Sequence, residues 1–220
     1  HEPTYLYKST LFYFKDYSRT EIIKDINVYT VSKIAKRNFK VQLPQKNVSI
    51  LNYGIPDVYL CDEKSDDFKI IFAIIGSVYE GKAQDILIQA IKQMKYNALV
   101  EFWIIGAIGT DEYSNNIRKA AEENPAIKIL GLLTREEIYN IFPKIDVVVC
   151  PSREDCLPIV MTEAMMFGKI CIASDGTGTA DFITEGENGF IVPVGDVQAL
   201  SERMEWIIEN KNNLEHIGKN

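Results

Sequence analysis

The chemistry-bearing residues of this chain concentrate in one segment, Pro151-Ser-Arg-Glu-Asp-Cys-Leu-Pro-Ile-Val-Met-Thr-Glu-Ala-Met-Met-Phe-Gly168. It leaves an apolar run, turns tightly and reads as entering a helix over Thr162–Phe167. A helix start presents unpaired N–H groups at the positive end of the helix dipole, so this loop suits an anion, and a diphosphate fits it. Asp155 and Glu163 are separated by seven residues and bracket the loop and the first helical turn, which lets both face one ligand. Carboxylates accept hydrogen bonds from sugar hydroxyls. Glu154, Asp155 and Glu163 also suit a plainer role, as helix-start charges that complement the dipole. Spacing alone leaves both roles open. Lys82, in Gly76-Ser-Val-Tyr-Glu-Gly-Lys82-Ala-Gln-Asp85, is the other notable charge, because a lysine at a helix start is disfavoured by the dipole and invites a functional reason.

The elements that must position these residues follow a regular alternation. Phe68–Ile75 reads as a strand buried on both faces, and Gln84–Met94 as an amphipathic helix. Strands follow at Leu99–Ile105, Ile127–Leu130, Asp146–Cys150, Ile170–Ala173 and Gly189–Val192, with helices near Tyr113–Asn124, from the capping box Thr134-Arg-Glu-Glu137 through Phe142, and from Val197 to Glu209 behind an Asp196 cap. This pattern predicts an α/β fold with a doubly wound parallel sheet, whose ligands lie beyond the carboxyl ends of the strands. The turns after Ile75, Ile105, Leu130 and Cys150 are therefore where a site is expected.

Residues 1–60 stand outside that series. Ile26–Val31 reads as a strand, Ser32 as a cap, Lys33–Val41 as a short helix and Val48–Leu51 as a strand, followed by the turn Asn52-Tyr-Gly-Ile-Pro56 and a polar connector over Tyr59–Asp67. This part carries a formal charge of +4, whereas residues 61–220 carry −11. We read residues 1–60 as the remnant of a preceding domain with its hinge, and 61–220 as the main domain. The net charge of −7 argues against nucleic acid as a partner. Cys61, Cys150, Cys156 and Cys171 lack zinc spacing and read as free thiols of a reducing compartment. The chain begins with neither an initiator Met nor a signal peptide, so it reads as starting inside a longer protein.

The segment Pro151–Gly168 resembles the signature of the group 1 retaining glycosyltransferases, built from two Rossmann-like domains (the GT-B fold), in which Glu, seven residues, Glu is followed by Ala-Met and a Gly. Glu163-Ala-Met165 and Gly168 match directly, and Asp155 stands at the first acidic position, a departure. Gly76–Asp85 is similar to the family's first β-α turn, with Lys82 kept and Ser77 where the family has an Arg. Asn52-Tyr-Gly54, Gly131, Thr177-Gly-Thr-Ala-Asp181 and Glu187-Asn-Gly189 also fall where family motifs lie, so the likeness covers about residues 47–209.

The resemblance implies a C-terminal nucleotide-sugar-binding domain of a hexosyltransferase of polysaccharide biosynthesis. Glu163 would bind the ribose. Asp155 and the backbone from Cys156 through Leu157 and Pro158 to Ile159 would contact the donor sugar. Gly76, Ser77, Lys82 and the amides near Ile159 and Val160 would hold the diphosphate, and Gly131–Leu132 the base. Asp155 and Lys82 are the catalytic candidates, the latter by stabilising charge on the departing diphosphate. No Asp-x-Asp pair occurs, so no metal or other cofactor is expected. The acceptor, a glycan or a lipid-linked glycan, would be held mainly by the preceding domain, so this chain is expected to bind donor without transferring sugar. A cytoplasmic location with peripheral contact at the inner face of the membrane is the matching expectation. The aromatic and basic residues Tyr5, Tyr7, Lys8, Lys15 and Arg19 suit such a contact, although burial in the preceding domain is the plainer reading. His1 and His216 earn no role. Two competing readings remain: a nucleotide-sugar epimerase of the same architecture, which needs an acid/base pair not evident here, and a non-catalytic homologue that keeps the pocket, for which Ser77 and Asp155 speak.

Overall fold

The structure is a computed structural model that describes residues 27–42, 47–51, 54, 69–96, 100–211, 214 and 217. Expectations for residues 1–25, Asn52–Tyr53, Ile55–Pro56, the 59–67 connector, Cys61, His216 and the starts of three strands at Ile26, Phe68 and Leu99 fall outside the described residues.

Six parallel strands form the main sheet: β3 (Ile70–Ile75), β4 (Val100–Ile105), β5 (Ile127–Gly131), β6 (Val147–Cys150), β7 (Ile170–Ser174) and β8 (Phe190–Val192), in the order β5-β4-β3-β6-β7-β8. Strands β3 and β6 are buried throughout, as their unbroken apolar runs require in a sheet covered on both faces. One face is covered by α2 (Gln84–Gln93), α3 (Glu112–Glu123) and α6 (Val197–Asn210), around Phe72, Phe102, Leu87, Ile91, Leu200 and Met204. The other face is covered by α4 (Arg135–Ile141) and α5 (Ile159–Met166), around Phe142, Ile145, Met161 and Ala164. This is the expected Rossmann-like architecture. Its strand order reverses direction at β3 and β6, and the crevice beyond their carboxyl ends is the natural ligand site of such a sheet.

A smaller unit precedes it, in which β1 (Val28–Thr30) and β2 (Val48–Ile50) pair in parallel and α1 (Lys33–Gln42) connects them. Ser32 Oγ accepts from the Ala35 amide at 3.1 Å, the expected cap. The unit touches the main domain where Asp181 accepts from the Lys33 amide at 2.8 Å and where Asn38 donates to Glu154.

The element boundaries follow the sequence closely, with one correction that bears on the site. Helix α5 begins at Ile159, three residues before the expected start, so Glu163 lies in its second turn and cannot serve as a helix-start charge. Pro158 is the N-cap, with its φ of −67° already suited to the position.

At the opposite end of the sheet from the crevice, Glu101 of β4 is 6% exposed and accepts hydrogen bonds from Lys69, Lys128 and Trp103 Nε1. Burial alone would raise its pKa, but these donors outweigh it and hold the carboxyl down at about 2. A depressed carboxylate stabilises the fold above its unfolded pKa and loses that contribution as pH falls toward its folded one. We therefore expect Glu101→Gln to cost on the order of 2 kcal/mol at pH 7. The difference should shrink as pH is lowered from about 4.5 to 2.5, checked by thermal unfolding of both proteins across that range.

Candidate functional site at the switch point

Two loops meet beyond β3 and β6. The first runs from Gly76 through a short 3-10 turn, Glu80–Lys82, to Ala83. Ala83 has φ 58°, the left-handed region that a side chain enters at a cost of about 1–2 kcal/mol, and among the described residues it is the only non-glycine to do so. That strain sits immediately beside Lys82, where it reverses the chain into α2. The Lys82 side chain runs back over Gly76, whose Cα offers the space: a Cβ there would lie 3.2 Å from Lys82 Cε, and its φ of +150° already disfavours one. The buried Gln84 side chain donates to the Ser77 carbonyl at 3.1 Å and so fixes the loop's first half.

The second loop, Pro151–Pro158, is tied down from two sides. Asp155 donates its amide to the Gly176 carbonyl at 3.1 Å and accepts at its own carbonyl from the Gly178 amide at 2.8 Å. On the other side, the Arg153 amide donates to the Gly81 carbonyl at 2.9 Å. The Arg153 guanidinium meets Asp85 in a forked pair, at 3.0 Å and 2.6 Å, and also reaches the Glu80 carbonyl. Tyr113 completes this cluster by donating to Asp85 at 2.9 Å. Burial of its ring and the neighbouring Asp85 carboxylate push the phenol's pKa well up, so it stays protonated and remains a donor.

The two loops bring together Lys82 and Asp155. Their Nζ and Oδ2 atoms are 2.6 Å apart, and the side chains are 17% and 19% exposed. Burial works against the lysine's charge, but the Asp155 carboxylate outweighs it, and the pKa of Lys82 lies above its ordinary value. The ammonium therefore stays charged at the mouth of the crevice.

The loop that carries Asp155 then enters α5 at Ile159. Four described helices have a side-chain cap: Ser32 for α1, Asp111 for α3, Thr134 in a full capping box for α4, and Asp196 for α6. The start of α2 has Asp85 in its first turn, and the Tyr113 hydroxyl accepts from the Asp85 amide. Helix α5 alone among them has neither a side-chain cap nor an acidic residue in its first turn. Its positive end is uncompensated, which is the condition for holding an anion.

Glu163 occupies a second cluster on α5, at the side toward α4. Arg135 Nη2 and Tyr139 OH each donate to Glu163 Oε1 at 2.9 Å, and Arg135 also lies over the Tyr139 ring. Oε2 receives no hydrogen bond from the described residues. Leu132, just past β5, is 75% exposed, and Ile159 is also exposed. Leu157 is buried, Val160 packs against the core, and Cys156 is half-buried. The structure thus joins Gly76, Lys82 and Asp155 directly, with Ser77 on the same loop. Glu163 stands apart from that group, held by Arg135 and Tyr139 of α4.

Several of these residues carried no role in the sequence reading. Arg153 lay within the quoted signature, where a cation preceding two acids gave no sign of its partner 68 positions away. Arg135 was visible only as part of a capping box. We expect Arg153→Ala to lower stability by about 1 kcal/mol and to weaken anion binding in the crevice, because the Glu80 carbonyl and the Asp85 carboxylate lose the guanidinium that holds them; thermal unfolding and calorimetry on the same variant check both effects.

Comparison with known proteins identifies the family. The chain is 26% identical over 210 residues to the glycosyltransferase MJ1178 of Methanocaldococcus jannaschii, covering 94% of this chain and 56% of that protein. It is 27% identical over 163 residues to the capsular polysaccharide biosynthesis glycosyltransferase CapM of Staphylococcus aureus, covering 71% of this chain and 40% of that one. The chain thus spans about half the length of such relatives. In fold it is similar to Anabaena HepE in complex with UDP and glucose, with a TM-score of 0.76, 20% identity, and coverage of 88% of this chain and 56% of the other. The sequence profile described as glycosyl transferases group 1 matches residues 62–220. With its Rossmann-like sheet, its switch-point loops and that match over most of its length, this chain belongs to the group 1 glycosyltransferases.

Proposed function

We propose that the crevice between β3 and β6 binds a nucleoside diphosphate sugar, and that the whole protein transfers a hexose from it, with retention at the anomeric carbon, to a glycan or lipid-linked acceptor. The observation that carries this reading is the uncapped start of α5, entered from the loop whose Asp155 holds the charged Lys82 at the switch point. Together they offer one diphosphate a cation and a set of oriented N–H groups. Glu163, buried, with Oε1 fixed by Arg135 and Tyr139 and Oε2 without a hydrogen bond from the described residues, suits a ribose diol, and exposed Leu132 offers an apolar face to a base. Asp155 would accept from sugar hydroxyls.

When the bond between sugar and diphosphate breaks, negative charge accumulates on the leaving oxygens. Lys82 and the α5 amides, already in place, stabilise that charge more strongly in the transition state than in the bound donor. We assign this role to Lys82 and the helix rather than to a divalent cation, so transfer by the whole protein should survive excess EDTA. Loss of activity restored by Mn²⁺ or Mg²⁺ would overturn the assignment.

HepE was solved with UDP-glucose as well as with UDP and glucose, which supports a nucleotide-sugar donor for a fold of this kind. A cytoplasmic site of action fits a donor of this class, and no described helix is long and apolar enough to cross a membrane. The acceptor side we place in residues preceding the main domain, so the 220-residue chain is expected to bind donor without measurable transfer. The decisive experiment is calorimetric titration of the chain with UDP-, GDP- and ADP-sugars. One base series should bind with micromolar to low millimolar affinity, and failure of all three would sink the reading.

A further inference from the structure

We infer that Asp155 acts as a competitor for Lys82 that the donor sugar switches off, so that the site holds a nucleoside diphosphate sugar more tightly than the sugar-free diphosphate it leaves behind. This rests on the donor-site reading above and concerns what the ion pair adds to it.

The pair is built to be exclusive. Lys82 Nζ touches Asp155 Oδ2 at 2.6 Å, and both side chains are more than four-fifths buried, so the contact is shielded from water and salt. The backbone on either side is pinned. Asp155 is bonded through its N–H and its C=O to Gly176 and Gly178, and the Lys82 turn is held by the Arg153 amide on the Gly81 carbonyl. Neither main chain can retreat to separate the charges, so any change of partner is made by side-chain rotation. Asp155 has one methylene group, and its short reach lets the carboxylate trade the ammonium for a ligand hydroxyl only over a small arc.

A diphosphate entering at α5 needs Lys82, and an unaccompanied diphosphate takes it from a carboxylate that then has no partner. Asp155 would be left unpaired beside new negative charge, an arrangement that costs free energy in a shielded site. A donor with its sugar attached brings hydroxyl donors to the same carboxylate, so the exchange leaves both groups satisfied. The net preference is a difference between two occupied states, set by whether Asp155 has something else to hold. After transfer the sugar has gone, Asp155 again competes for the ammonium, and the diphosphate is easier to release.

The test compares UDP with UDP-glucose, GDP with GDP-mannose and ADP with ADP-glucose, each titrated calorimetrically into the wild-type chain and into Asp155→Asn. Asparagine keeps the shape and removes the charge. For the base series that binds, the wild type should hold the sugar form more tightly. Asp155→Asn should bind the sugar-free diphosphate about three- to tenfold more tightly than wild type does, while the advantage of the sugar form falls toward unity. Asp155→Ala should show the same crossing, and unchanged thermal unfolding of either variant excludes a folding defect. If Asp155 merely repelled anions, both ligands would tighten in Asp155→Asn, the sugar-free diphosphate more because it carries more negative charge, so tightening of the sugar form as well overturns the inference. So does equal weakening of both. Wild-type protein that binds none of the six ligands would instead overturn the donor-site reading together with it.

Discussion

Replacing Lys82 with alanine should weaken binding of the nucleotide by about 30- to 100-fold, the largest effect on affinity expected from a single side chain here. Two losses combine. The diphosphate forfeits a charge-assisted hydrogen bond from an ammonium that Asp155 keeps charged, as its raised pKa records. The Asp155 carboxylate, deprived of a partner 2.6 Å away, is left facing the incoming anion. Glutamine at position 82 would restore a donor without the charge and should recover only a small part. Calorimetric titration of the three proteins measures this, and affinity unchanged in Lys82→Ala would remove the residue from the site. Thermal unfolding should also fall, because Asp155 is left without its partner in a shielded site, and comparing Lys82→Ala with the Lys82→Ala/Asp155→Asn double variant separates that loss from the loss of affinity.

The second large effect concerns a residue with no side chain. A Cβ on Gly178 would fall 1.8 Å from the Cys156 carbonyl oxygen and 2.7 Å from Ser32 Cβ. The first of these is backbone and cannot swing aside, so Gly178→Ala must displace one of two main-chain segments. Overpacking of this kind costs about 1–3 kcal/mol and sometimes more. The segment displaced is the one that carries Asp155, whose carbonyl accepts from the Gly178 amide at 2.8 Å. The variant should therefore melt earlier than wild type and should also lose about tenfold or more in affinity for the nucleotide sugar. Thermal unfolding and titration on the same sample separate the two effects. A variant with normal melting and normal affinity would show that the contact between Gly178 and the Asp155 loop is dispensable.

Much of the fold could be read before any coordinates, for physical reasons that are easy to name. Phe68–Ile75 and Asp146–Cys150 announce themselves because a strand buried on both faces has no polar alternation to hide in. Thr134 and Asp196 mark helix starts because a cap is a local device, completed within three residues. The start of α5 was misplaced for the converse reason. Ile159-Val-Met161 is apolar, carries no capping side chain before it, and follows a proline that reads equally well as part of a turn. That missing cap, which hid the helix in the sequence, is the feature on which the proposed anion site rests.

Within the site, the resemblance carried by Pro151–Gly168 and Gly76–Asp85 pointed to Lys82, Asp155 and Glu163. It did not indicate that the first two would be joined to each other, nor that the third would be braced by Arg135 and Tyr139. Ion pairs between distant loops depend on the register of strands, which no short stretch of sequence encodes. Arg153 with Asp85 makes the same point, since each looks like an ordinary surface charge until β6 lies beside β3.

The adjacency of β3 and β6 has a consequence for how the chain acquires its site. They are nearest neighbours in the sheet, yet two complete β-α units, β4 with α3 and β5 with α4, lie between them in the chain. Lys82 and Asp155 are accordingly 73 positions apart. Bringing such distant segments together carries a loop-closure entropy that neighbouring hairpins or helical turns escape, and contacts of this kind form slowly. A nascent chain that has emerged only as far as β5 has Lys82 but nothing for it to hold. On the proposed reading, the capacity to bind the nucleotide cannot appear before β6 docks on β3 and the segment after β7 pins the Asp155 loop, so its appearance during refolding would time the joining of the two halves of the sheet.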